Sequence, residues 1–530
     1  MSKKPASRTL PALLEEQVTA HGNREALVGS GTRLSYAEMK VEVGKIARRL
    51  IALGVRPGDK VGILMGNRPE WVLSALAITS IGGVMVAMNS WSTHRELEYL
   101  IRNSDSRFVI ASPTFLKHDY AAILDGFGDL RAKFPLLDGI MAVGDVVPAG
   151  WLPLRVEEPE PDPVLNAELT RRSTDVMPDD IAFILYTSGS TSVPKGVQLT
   201  HRSLIDNPFE IGERQHVQAG EKLWLAVSLF WGLGSVNAMM NLITHGGCIV
   251  LQEHFDAAEA LKIIATEQCQ LFYGTPNMAQ AMHEHPDRAH YDLSCLRGGA
   301  TLGTPDQIRR VIELGATEIC NIYGLTETYG NSHVTDVNDD LSKRLNTVGR
   351  PLPGMLQRIV SEDGSDLPPG EVGEIRLKGH ITPGYYKDPE QTALSFDEQG
   401  YFRTGDLGFV DEEGFLYFRG RLKEMVKTGG INVSPAEVEA VLMSHPDIYM
   451  ALVVGVPDHH RDEVLGAVII PVADRRIDED GVKKFARENL AAYKVPRLYS
   501  FASERELPLT TTGKVQKNKL ADTFFCTVAG

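Results

Sequence analysis

The chain has 530 residues, 43% apolar and 23% charged, which fits a soluble globular protein of roughly three or four structural units with a core that needs no staples. Fifty-four Lys plus Arg against 69 Asp plus Glu leave a formal net charge of −15, which argues against a general nucleic-acid binder yet leaves room for local basic patches that meet anionic small molecules. Cys248, Cys269, Cys295, Cys320 and Cys526 form no C-x-x-C pair, so neither a disulfide framework nor a zinc site is expected, and a reducing compartment fits.

The first residues, MSKKPASRTLPALLEEQ, carry charges without an apolar stretch, so no secretory signal is expected there, and the final TVAG is neither a prenylation nor a peroxisomal signal. No run approaches 18 apolar residues, so no membrane span is expected. A cytoplasmic enzyme is the expected class. Apolar residues recur every three or four positions over 36–53, which predicts a helix. The continuous apolar runs 61–65, 84–88 and 108–111 predict buried strands, and this alternation implies α/β architecture with parallel sheets covered on both faces.

Residues 146–180, rich in Pro and Glu, read as a long surface connection before a short apolar strand at 181–185. After about Gly349, Gly-punctuated segments and a DEEG turn suggest a small antiparallel or barrel-like unit. From Lys423 onward the pattern is that of a compact α+β domain. Its 481–520 stretch holds nine Lys or Arg and three Glu, a basic surface suited either to solvent or to phosphates.

Five segments carry chemistry. Tyr186-Thr-Ser-Gly-Ser-Thr-Ser-Val-Pro-Lys-Gly196 follows an apolar strand and offers the backbone N–H groups, hydroxyls and lysine that a polyphosphate needs, without being a Walker A loop. Tyr323-Gly-Leu-Thr-Glu-Thr328 sets a hydroxyl beside a carboxylate, a pair suited to a phosphate oxygen and a hard cation such as Mg²⁺. Tyr401-Phe-Arg-Thr-Gly-Asp406 ends in a carboxylate able to accept from two vicinal hydroxyls. The fourth segment is Arg419-Gly-Arg-Leu-Lys-Glu-Met-Val-Lys-Thr-Gly-Gly-Ile-Asn432. The fifth, Leu509-Thr-Thr-Thr-Gly-Lys-Val515, puts one lysine after a flexible run.

In this order, over about residues 10–520, these segments resemble the adenylate-forming superfamily of acyl-CoA synthetases, luciferase and adenylation domains, most closely a standalone acyl-CoA synthetase. The resemblance implies an N-terminal adenylation domain, 1–422, of two α/β subdomains plus a small β-barrel, and a smaller mobile α+β domain, 423–530. It implies ATP-dependent ligation of a carboxylic acid to CoA through an acyl-adenylate, with Mg²⁺ required and a homodimer allowed. It assigns Thr187, Ser188, Gly189, Ser190, Thr191 and Lys195 to the β- and γ-phosphates, Gly298, Gly299, Ala300 and Tyr323 to the adenine, and Gly324 to the nucleotide site. Thr326 matches the α-phosphate ligand, Glu327 the Mg²⁺ carboxylate, Asp406 and Arg421 the ribose contacts, and Lys514 the catalytic lysine. Lys423 matches the hinge, while Gly429 and Gly430 match the pantetheine tunnel, where a bare backbone leaves room.

Two positions depart from the pattern. Ser190 and Ser192 replace a threonine and a glycine of the phosphate loop, and Ser192 removes backbone freedom, which puts loop mobility in doubt. Trp231 stands where relatives commonly carry a histidine bordering the acyl pocket; it is either core packing or a wall of the acid site, and the lack of a cation there favours an apolar acid tail. Gly232 and Gly234 mimic a dinucleotide fingerprint, but Asn237 holds its third glycine position. His459 and His460 have no second ligand cluster and read as a surface loop. Two other functions stay open at this stage: loading of a carrier protein's phosphopantetheine, and non-catalytic binding of acyl-adenylates.

Overall fold

The computed structural model describes residues 3–156, 162–187, 194–428, 431–458, 462–473, 475, 477–490, 492–510 and 514–525. By internal packing the chain divides into two units, Met1–Leu356 with Leu377–Phe402, and Gln357–Arg376 with Arg403–Gly530.

The first unit is built on two large sheets. In the seven-stranded sheet, Lys60–Leu64 lies between Val84–Ala87 and Ser106–Ala111; Ile181–Thr187 and Gly139–Ala142 extend the parallel run on either side. All four residues of Val84–Ala87 are buried, as an unbroken apolar run in a doubly covered sheet requires. Lys195–Thr200 closes one edge antiparallel to Ile181–Thr187.

The nine-stranded sheet runs parallel through Glu318–Tyr323, Gly298–Thr301, Leu271–Tyr273, Lys222–Leu225, Cys248–Leu251 and Glu25–Gly29. Short antiparallel strands flank this run at both ends.

The helix expected over 36–53 is Tyr36–Ala52. Ser35 caps it in a capping box with Glu38, and Met39, Val43, Ile46 and Leu50 form its buried stripe. The expectation of a plain surface connection over 146–180 is corrected: the helix Pro163–Asp175 lies within it. The prolines that suggested a loop include Pro163 at the first helical position, where a missing N–H costs nothing. Asp162 caps this helix by accepting from Val164 N–H at 2.7 Å. No residue of the helix is buried, so there was no apolar stripe for periodicity to detect.

The second unit contains the small β segment expected after Gly349. It is a four-stranded sheet of Leu356–Val360, Gly373–Lys378, Phe402–Val410 and Leu416–Arg421, the last two antiparallel. The anticipated turn is there: Phe415 N–H donates to Asp411 Oδ1 at 2.9 Å, and Gly414 takes the left-handed φ of +82°. A further sheet pairs Ile448–Asp458 antiparallel with Asp462–Pro471, and Leu498–Phe501 lies parallel to the latter. Helices Pro435–Met443 and Glu479–Asn489 contribute Val438, Leu442 and Val482 to a core shared with Val453, Ala467 and Ile469.

Candidate functional site

In open α/β sheets ligands collect at the carboxyl ends of parallel strands. Several of the first unit's expected residues fall there, whereas Gly298 opens its strand. Trp231 follows Lys222–Leu225, Ala300 is near the end of Gly298–Thr301, and Tyr323 ends the adjacent Glu318–Tyr323. In the other sheet Thr187 ends its strand and pairs with Lys195 on the antiparallel neighbour, and the two residues flank the expected phosphate segment in the chain. Ser188, Gly189, Ser190, Thr191 and Ser192 lie outside the described residues, as do Gly429, Gly430, His459 and His460.

Gly299 and Gly324 are where only glycine fits. Gly299 has a φ of +115°, and a Cβ would stand 2.0 Å from the Phe272 carbonyl oxygen. At Gly324 a Cβ would meet the Gly330 oxygen at 2.2 Å. The segment 325–331, which carries Thr326 and Glu327, is thereby folded tightly back on the end of its strand.

Several partners hold that segment in place. The buried Asn207 donates through Nδ2 to the carbonyls of Thr328, Tyr329 and Asn331 at 3.2, 3.1 and 2.8 Å. Tyr329, at a left-handed φ of +54°, accepts at its hydroxyl from Thr200 N–H at 2.9 Å. Thr382 N–H donates to the Glu327 carbonyl at 2.7 Å.

Glu327 is buried, and its Oε1 accepts from the Tyr385 hydroxyl at 2.8 Å. Burial first, and then the Glu327 charge, push the Tyr385 phenol above its ordinary pKa, so it is a firm donor. The Lys195 ammonium sits over the Tyr385 ring, 5.5 Å from its centroid. Lys195, Tyr385 and Glu327 therefore form a row that joins the lysine of the expected phosphate segment to the acidic residue of the 325–331 segment. Tyr385 and Asn207 were missed in the sequence. The only trace of Tyr385 is the Thr-Pro-Gly-Tyr-Tyr-Lys run ending at Lys387, an ordinary turn signal.

Trp231 packs edge-on against Trp91 at 5.2 Å and Phe230 at 5.3 Å between ring centroids, and Trp91 meets Phe230 at 5.3 Å. Trp91 follows the carboxyl end of Val84–Ala87, so this aromatic group draws the ends of both large sheets together. Tyr323 is buried, with His333 at 5.8 Å between rings.

In the second unit Asp406 and Arg421 are register partners on adjacent strands. The Arg421 Nε lies 3.3 Å from Oδ1 of the buried Asp406. Lys514 is tied to Thr510, whose N–H donates to the Lys514 carbonyl at 2.7 Å and whose Oγ1 accepts from Lys514 N–H at 3.0 Å. The backbone at Lys423 is in the 3₁₀ turn Leu422–Glu424.

The AMP-binding enzyme family matches residues 14–386, and the AMP-binding enzyme C-terminal domain matches 437–514. The chain belongs to the AMP-binding enzyme family. It is 32% identical to the acyl-CoA ligase sidI of Aspergillus fumigatus over 96% of this chain and 90% of that protein. It is 31% identical to the mitochondrial medium-chain acyl-CoA ligase ACSF2 of Rattus norvegicus over 97% of this chain and 87% of that protein. The anthranilate CoA ligase AuaEII, solved with anthranoyl-AMP, superposes with a TM-score of 0.84 at 26% identity, covering 99% of both chains. This member is an AMP-forming acyl-CoA synthetase: it joins a carboxylic acid to CoA at the expense of ATP. Among the described residues no helix is long and apolar enough to cross a membrane.

Proposed function

We propose that the chain activates an acid with an apolar body and that the row Lys195–Tyr385–Glu327 organises the reacting phosphates. Attack of a carboxylate on the α-phosphate brings two anions together, so placed positive charge dominates the barrier. Lys195 would neutralise the outer phosphates from the hairpin end. Thr326 would donate to the α-phosphate, and Tyr323 with Gly298–Ala300 and Gly324 would take the adenine. Asp406 and Arg421 are the proposed ribose contacts, Lys514 the proposed cation for the acyl carboxylate, and Lys423 the proposed hinge of domain 423–530.

Mg²⁺ belongs to the same proposal. The donor set fits it, because Mg²⁺ is usually held by one or two carboxylates with phosphate oxygens and water, and Glu327 beside the Thr326 hydroxyl is such a set. When bound, the ion supplies positive charge to the phosphates; Tyr385 keeps the carboxylate oriented for it. Trp231, Trp91 and Phe230 would line the apolar part of the acid. A cytoplasmic setting is supported by Cys248, Cys269, Cys295 and Cys320, which are all free thiols.

The observation that carries this reading is the buried Glu327 held by Tyr385 beneath Lys195. Acid-dependent ATP–pyrophosphate exchange tests it. Glu327→Gln and Lys514→Ala should each lower the exchange rate by on the order of 10²–10³ while ATP still binds. Exchange at the wild-type rate in either variant would remove that residue from the mechanism.

A further inference from the structure

Trp231 leads straight into a π-helix, Leu233–Met239, a rare conformation that concentrates at functional sites. Its first end touches the segment of Thr326 and Glu327: a Cβ at Gly232 would lie 3.4 Å from Thr326 Oγ1. Five residues later Asn237 lies against the other end of that segment. A Cβ at Gly330 would stand 3.2 Å from Asn237 Cβ and 3.4 Å from its Nδ2.

A hydrogen-bonded chain fixes the orientation of the Asn237 amide. Asn241 Nδ2 donates to Gln215 Oε1 at 3.3 Å, Gln215 Nε2 donates to the Tyr273 hydroxyl at 3.1 Å, and that hydroxyl donates to Asn237 Oδ1 at 2.5 Å. With its oxygen engaged, Asn237 must turn its Nδ2 the other way. Asn237 is fully buried, and Nδ2 has no hydrogen-bond partner among the described residues. Asn331 Nδ2, next to Gly330, is likewise buried without a partner. Leaving such a donor unmet costs about 1–3 kcal/mol, so two of them beside one segment are a costly arrangement unless something accepts from them.

We infer that the acid carries a hydrogen-bond acceptor on its tail, a hydroxyl, oxo or amide oxygen, and that Asn237 Nδ2 is the specificity-determining group that reads it beyond the aromatic wall of Trp91, Phe230 and Trp231. This rests on the proposal that Trp231, Trp91 and Phe230 line the apolar part of the acid. The acid is then apolar along its body and polar at one defined position, which departs from the expectation of an apolar tail.

The test compares saturated acids with derivatives of the same length in which one hydroxyl or oxo group is walked along the chain. Acid-dependent ATP–pyrophosphate exchange gives kcat/KM for each. At one acceptor position the wild type should favour the derivative over its parent by on the order of 10-fold or more. Asn237→Leu should bring that ratio close to one. Asn237→Asp keeps the shape and the bond from Tyr273 but replaces the donor by an acceptor, and should invert the preference for the oxo derivative, which has no proton to give, whereas a hydroxyl can donate to it. Melting temperatures report whether each variant folds; if neither does, the wild-type ratios alone decide. The inference is overturned if no acceptor position is favoured in the wild type, as when a buried water meets Nδ2, or if the preference for the oxo derivative persists in a folded variant. Exchange with neither series would instead count against the acid-activating reading.

Discussion

His201 shows how a single side chain ties stability to pH. It is buried, and its Nδ1 accepts from Leu10 N–H at 3.1 Å, so the ring must be neutral in the folded state. Burial pushes its pKa down to about 4. Between about pH 6.5 and pH 4 the unfolded chain binds a proton that the folded chain refuses, so stability rises with pH across that window. The contribution is fully present above about pH 6.5 and is lost by pH 4, amounting to roughly 3 kcal/mol at this one site. His201→Asn keeps an acceptor in place without the titration. Urea midpoints measured from pH 7.5 to 4 should fall more steeply for the wild type than for His201→Asn, and parallel curves would show that His201 does not set the slope. At this scale the sequence was only partly legible. Glu327, Asp406 and Lys514 announce themselves through runs of Gly and Thr around a charge. Tyr385 does not, because its partner Glu327 is far away in the chain and tyrosines near a Pro-Gly turn are common.

At the scale of elements, the 325–331 segment depends on groups that no local pattern names. Asn207 supplies one NH₂ group to three buried carbonyls from within the helix Ser203–Arg214. Asn207→Ala should leave those carbonyls poorly paired and lower stability by about 2–4 kcal/mol. Because the same segment carries Thr326 and Glu327, the exchange rate should also drop by at least about tenfold. Calorimetry and exchange measured together check this. A large fall in melting temperature with an unchanged rate would mean that the segment keeps its shape without Asn207. The central strands of the seven-stranded sheet were legible as continuous apolar runs, since burial on both faces removes any alternation. The helix Pro163–Asp175 was not, since none of its residues is fully buried and its main marks are the cap Asp162 and Pro163.

For the whole molecule, the two units do not follow a single cut in the sequence. Gln357–Arg376 packs with the second unit, while Leu377–Phe402 returns to the first. Ile359, Val360 and Ile375 are buried. A chain ended at Phe402 would leave these three side chains without their sheet neighbours and should aggregate. Replacing Gln357–Arg376 in that truncation by a short glycine linker should restore solubility, because Gly354 and Gly379 already approach closely: a Cβ at Gly379 would stand 2.0 Å from the Gly354 oxygen. Gel filtration of the two truncations decides the matter, and equal solubility would show that the excursion tolerates exposure. Composition and charge bounded the size and class of the protein, but this interleaving is a long-range pairing with no local signature.

The excursion also bears on how the chain is made. Synthesis delivers Gln357–Arg376 before the strands Phe402–Val410 and Leu416–Arg421 that complete its sheet, and translation proceeds at about 5–20 residues per second. For a time on the order of seconds, a two-stranded piece of sheet with apolar side chains must wait at the ribosome with an open edge. Chaperone demand during biosynthesis should therefore peak as the first unit nears completion.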